Sequence, residues 1–382
     1  MNSTIRAGLV GLAAAIALAG CGKKDDSAPA SATQAPAAAP AEEKVVNVYN
    51  WSDYIDPAML EAFTAETGIK VNYDVFDNNE VLQTKLLAGN TGYDVVVPSA
   101  SFLELQIKAG VFQKLDRSKL PNWQYLDENI LERVGRHDPG NEYAVNFMWG
   151  TDAIGYNVKK VMAIDPKAPG NSWKLLFDPA EAKKFKDCGI SILDAPDETV
   201  SVVLAYLGRN PNSENLDDLK AAEEALMKIR PYVRTINSSE YINGLATGEL
   251  CVVMGWSGDI LQAKTRAEEG EQGLEIAMTV PEDGTVIWFD MFAIPADAPH
   301  PNNAHAFINF MSKPEVAAAN SNFISYASGN AGALPLLDPA VRDDPSVYPP
   351  PETMAKLFPN LAHTQEFTRE LNRTWTRFMT GK

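Results

Sequence analysis

Apolar positions fall into short alternating or continuous runs, separated by longer stretches with helical spacing. Val45 to Tyr49 alternates and predicts a strand. Asp56-Pro57 then opens a helix, with Asp as N-cap and Pro in the first turn. Met59, Leu60 and Phe63 give that helix an apolar face, and Gly68 ends it. Ile69 to Phe76 predicts a second strand. Asp77 reads as the cap of the next helix, in which Val81, Leu82 and Leu86 face inward. Tyr93 to Val97 is a short apolar run of the kind found in buried parallel strands, and Ser101 to Ala109 is helical. Strand, helix, strand, helix, strand is the order of a parallel α/β sheet.

The second half repeats the logic. Tyr143 to Trp149 and Ala153 to Tyr156 read as strands broken by Gly150-Thr151-Asp152, where a crossing between lobes is expected. Gly189 to Leu193 is a strand, and Asp194 to Glu198 opens a helix running to about Leu207. Residues 214 to 230 form an amphipathic helix. Leu250 to Gly255, Leu274 to Val280 and Thr285 to Ile294 are strands. Helices follow at about 301 to 312 and 314 to 322, then a Pro-rich loop and a terminal helix from Thr364 to Met379.

Open parallel sheets bind ligands beyond the carboxyl ends of their strands. Trp51-Ser52-Asp53-Tyr54, Asp77 and Ser99 each follow a strand and so share one edge. Aromatic faces attract positive charge, and a carboxylate pairs with it. The same five-residue run, Asn50 to Tyr54, also suits a plain turn with one buried Trp and a solvated Asp. The pattern returns as Trp256 with Asp259 and as Trp288 with Asp290, which favours a cation. Residues two apart on a strand share a face, so Trp288, Asp290 and Phe292 point one way. A buried Asp290 needs a partner, either an internal Arg or Lys or a bound cation. Glu198 lies in a first helical turn, where a carboxylate also favours the helix dipole.

The start of the chain adds a targeting segment. Arg6 precedes an apolar run from Ala7 to Ala19, closed by Leu18-Ala19-Gly20-Cys21. A permanent spanning helix needs about 20 apolar residues, and this run is shorter. Its end resembles a bacterial lipobox, so residues 1 to 20 are expected to be a lipoprotein signal peptide and Cys21 a lipidation site. Residues 21 to 44, rich in Ala and Pro, read as a flexible tether. Cleavage before Cys21 removes Arg6 alone among charged residues, taking the formal net charge from -17 to -18. That excess argues against nucleic acid, which needs basic patches, and suits a cationic ligand as well as a solvated acidic surface.

Cys188 and Cys251 are the cysteines left. In an exported protein they are expected to be joined, the alternative being two buried thiols. The chain has no phosphate loop, dinucleotide fingerprint, His-Glu-x-x-His or nucleophile elbow. Its four histidines sit in polar stretches that read as exposed. No cofactor, metal or catalytic residue is expected.

Tyr49 to Ile55, Val97-Pro98-Ser99-Ala100-Ser101-Phe102, Leu193-Asp194-Ala195-Pro196, Gly255 to Asp259 and Phe289 to Ala293 together carry a resemblance. They resemble the periplasmic polyamine-binding proteins of ABC transporters, the putrescine-binding branch above all, and the resemblance runs from residue 45 to 382. It implies an α/β, two-lobed periplasmic-binding-protein fold of type II. Each lobe would be a mainly parallel sheet flanked by helices, with the ligand in the cleft between them. Residues 45–150 would begin lobe one, 151–269 form lobe two, 270–327 return to lobe one, and 328–382 pack on lobe two.

The resemblance also implies an aromatic box of Trp51, Tyr54, Trp256, Trp288 and Tyr326. Asp259 and Asp290 would clamp one ammonium. Asp53 and Glu198 would hold the other, with Ser52 and Ser99 nearby. It pairs Cys188 with Cys251. The expected partners are putrescine, with spermidine as a second ligand, and the subunits of an ABC permease. The protein would be a periplasmic monomer anchored by lipid at Cys21. The alternative role is a polyamine-sensing lipoprotein that serves a signalling partner. Trp288 departs from the putrescine-binding pattern, where Phe is usual, and with Asn360 leans toward a longer polyamine. Asp53, Ala195, Ser101 and Phe102 lean toward putrescine.

Overall fold

The structure is a computed structural model that describes residues 42–271 and 273–382. The expected signal peptide, the lipidated Cys21 and most of the tether lie outside the described residues. The end of the tether does not: the Glu42 carboxylate accepts from the backbone N–H groups of Asn302 and Asn303, at the start of the Pro301–Met311 helix. A carboxylate there meets the positive end of the helix dipole.

Eleven strands make one sheet: β1 (Val45–Trp51), β2 (Lys70–Phe76), β3 (Val95–Val96), β4 (Ala144–Asn157), β5 (Ile190–Ile192), β6 (Thr235–Ile236), β7 (Val252–Trp256), β8 (Ile276–Thr279), β9 (Thr285–Ala293), β10 (Ala327–Ser328) and β11 (Leu357–Phe358). β1 pairs in parallel with β2 and β3, and β9 lies antiparallel beside β3. β5 pairs in parallel with β6 and β7. The two parallel groups are joined through β4 and β9, which run side by side from Ala144↔Ala293 to Thr151↔Ile287.

The first helix forms as its sequence predicts. Asp56 Oδ1 caps the Ala58 N–H at 2.9 Å, Pro57 takes the first turn, and Gly68 closes the helix at φ 69°. The next cap is Asn78, not Asp77: Asn78 Oδ1 accepts from Val81 N at 2.8 Å. Asp77 is thereby left free to face the cleft.

Three other expectations change. The break at Gly150-Thr151-Asp152 is not a break, because β4 continues through it with β9 on one side and β7 on the other. Gly150 is needed there: a Cβ would stand 2.6 Å from the Trp288 indole. The return to the first half comes within β9 rather than at residue 270, since β8 pairs with the far end of β4, Ile154↔Thr279 to Asn157↔Ile276. The chain after residue 328 does not go straight to the second half. β10 and the Ala331–Leu336 turn stay with the first, and β11 joins the start of β9. The terminal helix, Gln365–Thr380, then buries Phe367, Leu371, Trp375 and Phe378 on the second half, against the Leu216–Ile229 helix. His137 and His305 are buried, not exposed; His305 Nε2 accepts from Asp116 N at 2.9 Å.

Candidate functional site

The carboxyl ends of β1, β3 and β7 meet over β9, and the residues just beyond them line a partly open cavity. Its walls hold Trp51, Ser52, Tyr54, Ser99, Glu198, Trp256, Asp259, Trp288, Asp290 and Tyr326, brought together from positions 51 to 326. These are the sequence-predicted site residues, all but Asp53.

The rings brace one another. Trp51 meets Trp256 edge-on at 5.4 Å, Tyr54 meets Tyr326 at 5.1 Å, and Trp288 meets Tyr326 at 5.2 Å. Trp51 is fixed further by its indole N–H, which donates to Val97 O at 2.9 Å. Gly258 makes room for Tyr326, because a Cβ at that position would lie 2.5 Å from the ring. Aromatic side chains thus supply apolar walls to the cavity, as an alkyl chain would need.

Each buried carboxyl lines this box and takes its hydrogen bonds from neutral donors. Asp259, in the first turn of the Ser257–Glu269 helix, accepts from Tyr326 Oη at 2.6 Å and Tyr241 Oη at 2.8 Å. Asp290, on β9, accepts from Ser99 Oγ at 2.6 Å, and Asn79 Nδ2 donates to that same hydroxyl at 3.0 Å. Glu198 accepts from Trp256 Nε1 at 2.7 Å. No Lys or Arg is among the lining residues. Among the described residues no Lys or Arg pairs with Asp290, so of the two expected partners the internal cation is not found, and the Ser99 hydroxyl is the donor in place.

Burial raises the acids, and the cation that acts on one of them, Arg266 on Asp259, is weaker than the desolvation. Desolvation pushes Asp259, Asp290 and Glu198 each up to about 7, although the hydroxyl and indole donors pull the other way. Two buried donors at this wall make no hydrogen bond of good geometry and instead face carboxyls: the Tyr54 hydroxyl faces Asp290, and Trp288 Nε1 faces Asp152.

Asp53 behaves otherwise. It is exposed at φ 52°, and its Oδ1 pairs with Arg266 at 2.7 Å across the cleft mouth. It does not share an end of the cavity with Glu198. Asp77, expected as a cap, accepts from Ser52 Oγ at 2.7 Å and lines the cavity with Phe76 and Ser238. Its place after the second strand was the available signal. Tyr241 had none: it lies on a helix with no motif and reaches Asp259 only through the fold.

Away from the cavity, Cys188 and Cys251 lie with Cα atoms 5.6 Å apart, at the starts of β5 and β7. Asn360 donates to Asp197 at 2.9 Å beyond Glu198.

Comparison with known proteins agrees with this architecture. The sequence model of the bacterial extracellular solute-binding protein family matches residues 58–349. The putrescine-binding periplasmic protein SpuD of Pseudomonas aeruginosa is 53% identical over 346 residues, 90% of this chain and 94% of that one. The putrescine-binding periplasmic protein PotF of Escherichia coli is 48% identical over 344 residues, 90% and 93% of the two chains. A putative spermidine/putrescine ABC transporter structure from Listeria monocytogenes superposes with a TM-score of 0.79 at 32% identity, covering 89% of this chain and 100% of that one. The fold is the α/β type II periplasmic-binding-protein fold, and the chain belongs to the bacterial extracellular solute-binding protein family.

Proposed function

We propose that the cavity captures putrescine in the periplasm and that the protein delivers it to an ABC permease. One ammonium lies between Asp259 and Asp290, the other at Glu198, and the methylenes run between the rings of Trp51, Tyr54, Trp256, Trp288 and Tyr326. The observation that carries this reading is the set of three buried carboxyls, hydrogen-bonded by neutral donors only, that line an aromatic-walled cavity. A dication supplies the missing charge at both ends. The relatives' names, which describe binding proteins and an ABC transporter, favour delivery over the sensing role. Ser52 and Ser99 orient Asp77 and Asp290, and Asp53 holds the closed cleft through Arg266. Because the site is divided between the two halves, occupancy and closure are linked.

Spermidine is the second ligand of this reading. Trp288 offers a larger face than Phe, and the ring face is what would serve a third amine. Calorimetry of the mature domain against putrescine, cadaverine, spermidine and spermine tests the class. Binding of none of them overturns the proposal. Trp288→Phe is expected to shift preference toward putrescine by about one cation–π contact, ~0.5–2 kcal/mol. An unchanged ratio of the two affinities makes Trp288 a wall only.

The reading extends to a monomer anchored by lipid at Cys21, with a Cys188–Cys251 disulfide. One variant tests both linkages. Cys21→Ser should leave the membrane fraction, and after denaturation without reductant it should show no reactive thiol. Retention in membranes rejects the anchor; two reactive thiols reject the bridge.

A further inference from the structure

Asp152 lies in the middle of β4, opposite Trp256 in the register. It is fully buried, and neither of its carboxyl oxygens has a hydrogen-bond donor. The groups that face it are Glu198 and Asp197 from the Pro196–Tyr206 helix, Tyr241 from the Glu240–Ala246 helix, and the Trp288 indole from β9. None is a cation. An ionised Asp152 would be an uncompensated buried charge pressed against other acids, which is strongly unfavourable. A neutral carboxylic acid avoids that cost and gains one O–H donor. The acceptor beside it is Glu198, which already holds the Trp256 N–H.

We propose that Asp152 is a positioning residue of the diamine site: it stays protonated, donates to Glu198, and so favours the ionised form of that carboxyl and fixes its direction in the cavity. Glu198 is then fixed from two sides, by the Trp256 indole and by the Asp152 acid. The pair carries one negative charge rather than two, which matches a single ammonium. Two like charges in contact do not both ionise; one proton is shared, and the more deeply shielded acid keeps it. Burial, then the Glu198 charge, push Asp152 well above the carboxylate range; burial also raises Glu198, to about 7, against the pull of the Trp256 and Asp152 hydrogen bonds.

This inference rests on the diamine reading only for Glu198's task, so the test has two arms. Difference infrared spectroscopy of ligand-free protein at about pH 8, where groups near 7 are mostly ionised, should show a protonated-carboxyl C=O band. The band should be lost in Asp152→Asn. Isotope labelling of aspartate should shift it in the wild type, a reading that needs no variant to fold. In calorimetry with putrescine, Asp152→Ala should bind about tenfold more weakly or worse at neutral pH. Its pH midpoint should move upward, because Glu198 has lost a donor. Asp152→Asn, which keeps an N–H donor, should recover most of the loss. A wild type with no aspartic acid band overturns the proposal. So does an Asp152→Ala profile with an unmoved midpoint, or an Asp152→Asn variant as weak as Asp152→Ala. A wild type that shows the band yet binds no diamine rejects the ligand reading and leaves the protonated Asp152 in place.

Discussion

Asp259→Asn is expected to weaken putrescine by about 3–5 kcal/mol, or between two and four decades in Kd, with the fold intact. The fold survives because the amide has the carboxylate's shape. Its oxygen still accepts from Tyr326 or Tyr241, and the remaining hydroxyl can turn to accept from the new N–H. What is lost is the charge. The ammonium then sits in a buried pocket with Asp290 alone, and half of its compensation is gone. Asp290→Asn should cost a similar amount, since Ser99 Oγ can accept from an amide as readily as it donates to a carboxylate. Removing a ring face should cost less, about 0.5–2 kcal/mol. The carboxylates should therefore rank above the aromatic walls. Titration calorimetry at about pH 8 checks the order, because the free acids are then largely ionised and the comparison is of charge rather than protonation. A loss under about tenfold, ~1.4 kcal/mol, would make the Asp259–Asp290 pair peripheral.

Much of this site was readable from spacing, for a physical reason. Trp51, Ser99 and Trp256 sit at strand ends, and a parallel sheet puts such ends on one edge. The phase of β9 gave the common face of Trp288 and Asp290. What was not readable depends on where side chains turn after the backbone is set. Asp77 and Asn78 are adjacent and both suit an N-cap; the cap went to Asn78, which freed Asp77 for the cavity. Asp53 lies in the expected loop, yet its φ of 52° directs it to Arg266, more than two hundred residues away. Gly150-Thr151-Asp152 is a turn-like run, which predicts a break. The strand continues because β9 pairs it up to Thr151 and β7 takes over from Asp152, and a turn there would leave those groups unpaired. The lobe boundaries erred similarly: β8 and the segment after residue 328 are assigned by their pairing partners, which local sequence does not name.

The affinity for putrescine should rise steeply from about pH 5 to pH 8 and level off above that, where its amines, with pKa values near 10, are still charged. In the free protein Asp259, Asp290 and Glu198 each titrate at about 7. In the complex each faces an ammonium, which lowers its pKa. The ligand thus binds the ionised form and expels protons whenever the pH is below about 7, and the affinity is lost as pH falls through that value. Each carboxyl so coupled contributes up to about one decade per pH unit, less where the acids sense one another. Stability of the free protein should run the opposite way. These folded-state values lie above the unfolded values of about 4, so the native chain holds more protons between about pH 4 and 7. Their contribution to stability is therefore present at the acid end of that window and declines as pH rises through it. Putrescine should relieve this cost, so the rise in Tm that it produces should be largest above pH 7. Proton release, read from binding heats in buffers of different ionisation enthalpy, should be positive at about pH 6 and approach zero by about pH 8.5. A flat affinity and no proton release at pH 6 would mean that the three acids are already ionised without ligand. The absence of a cation at the wall would then not be what drives recognition.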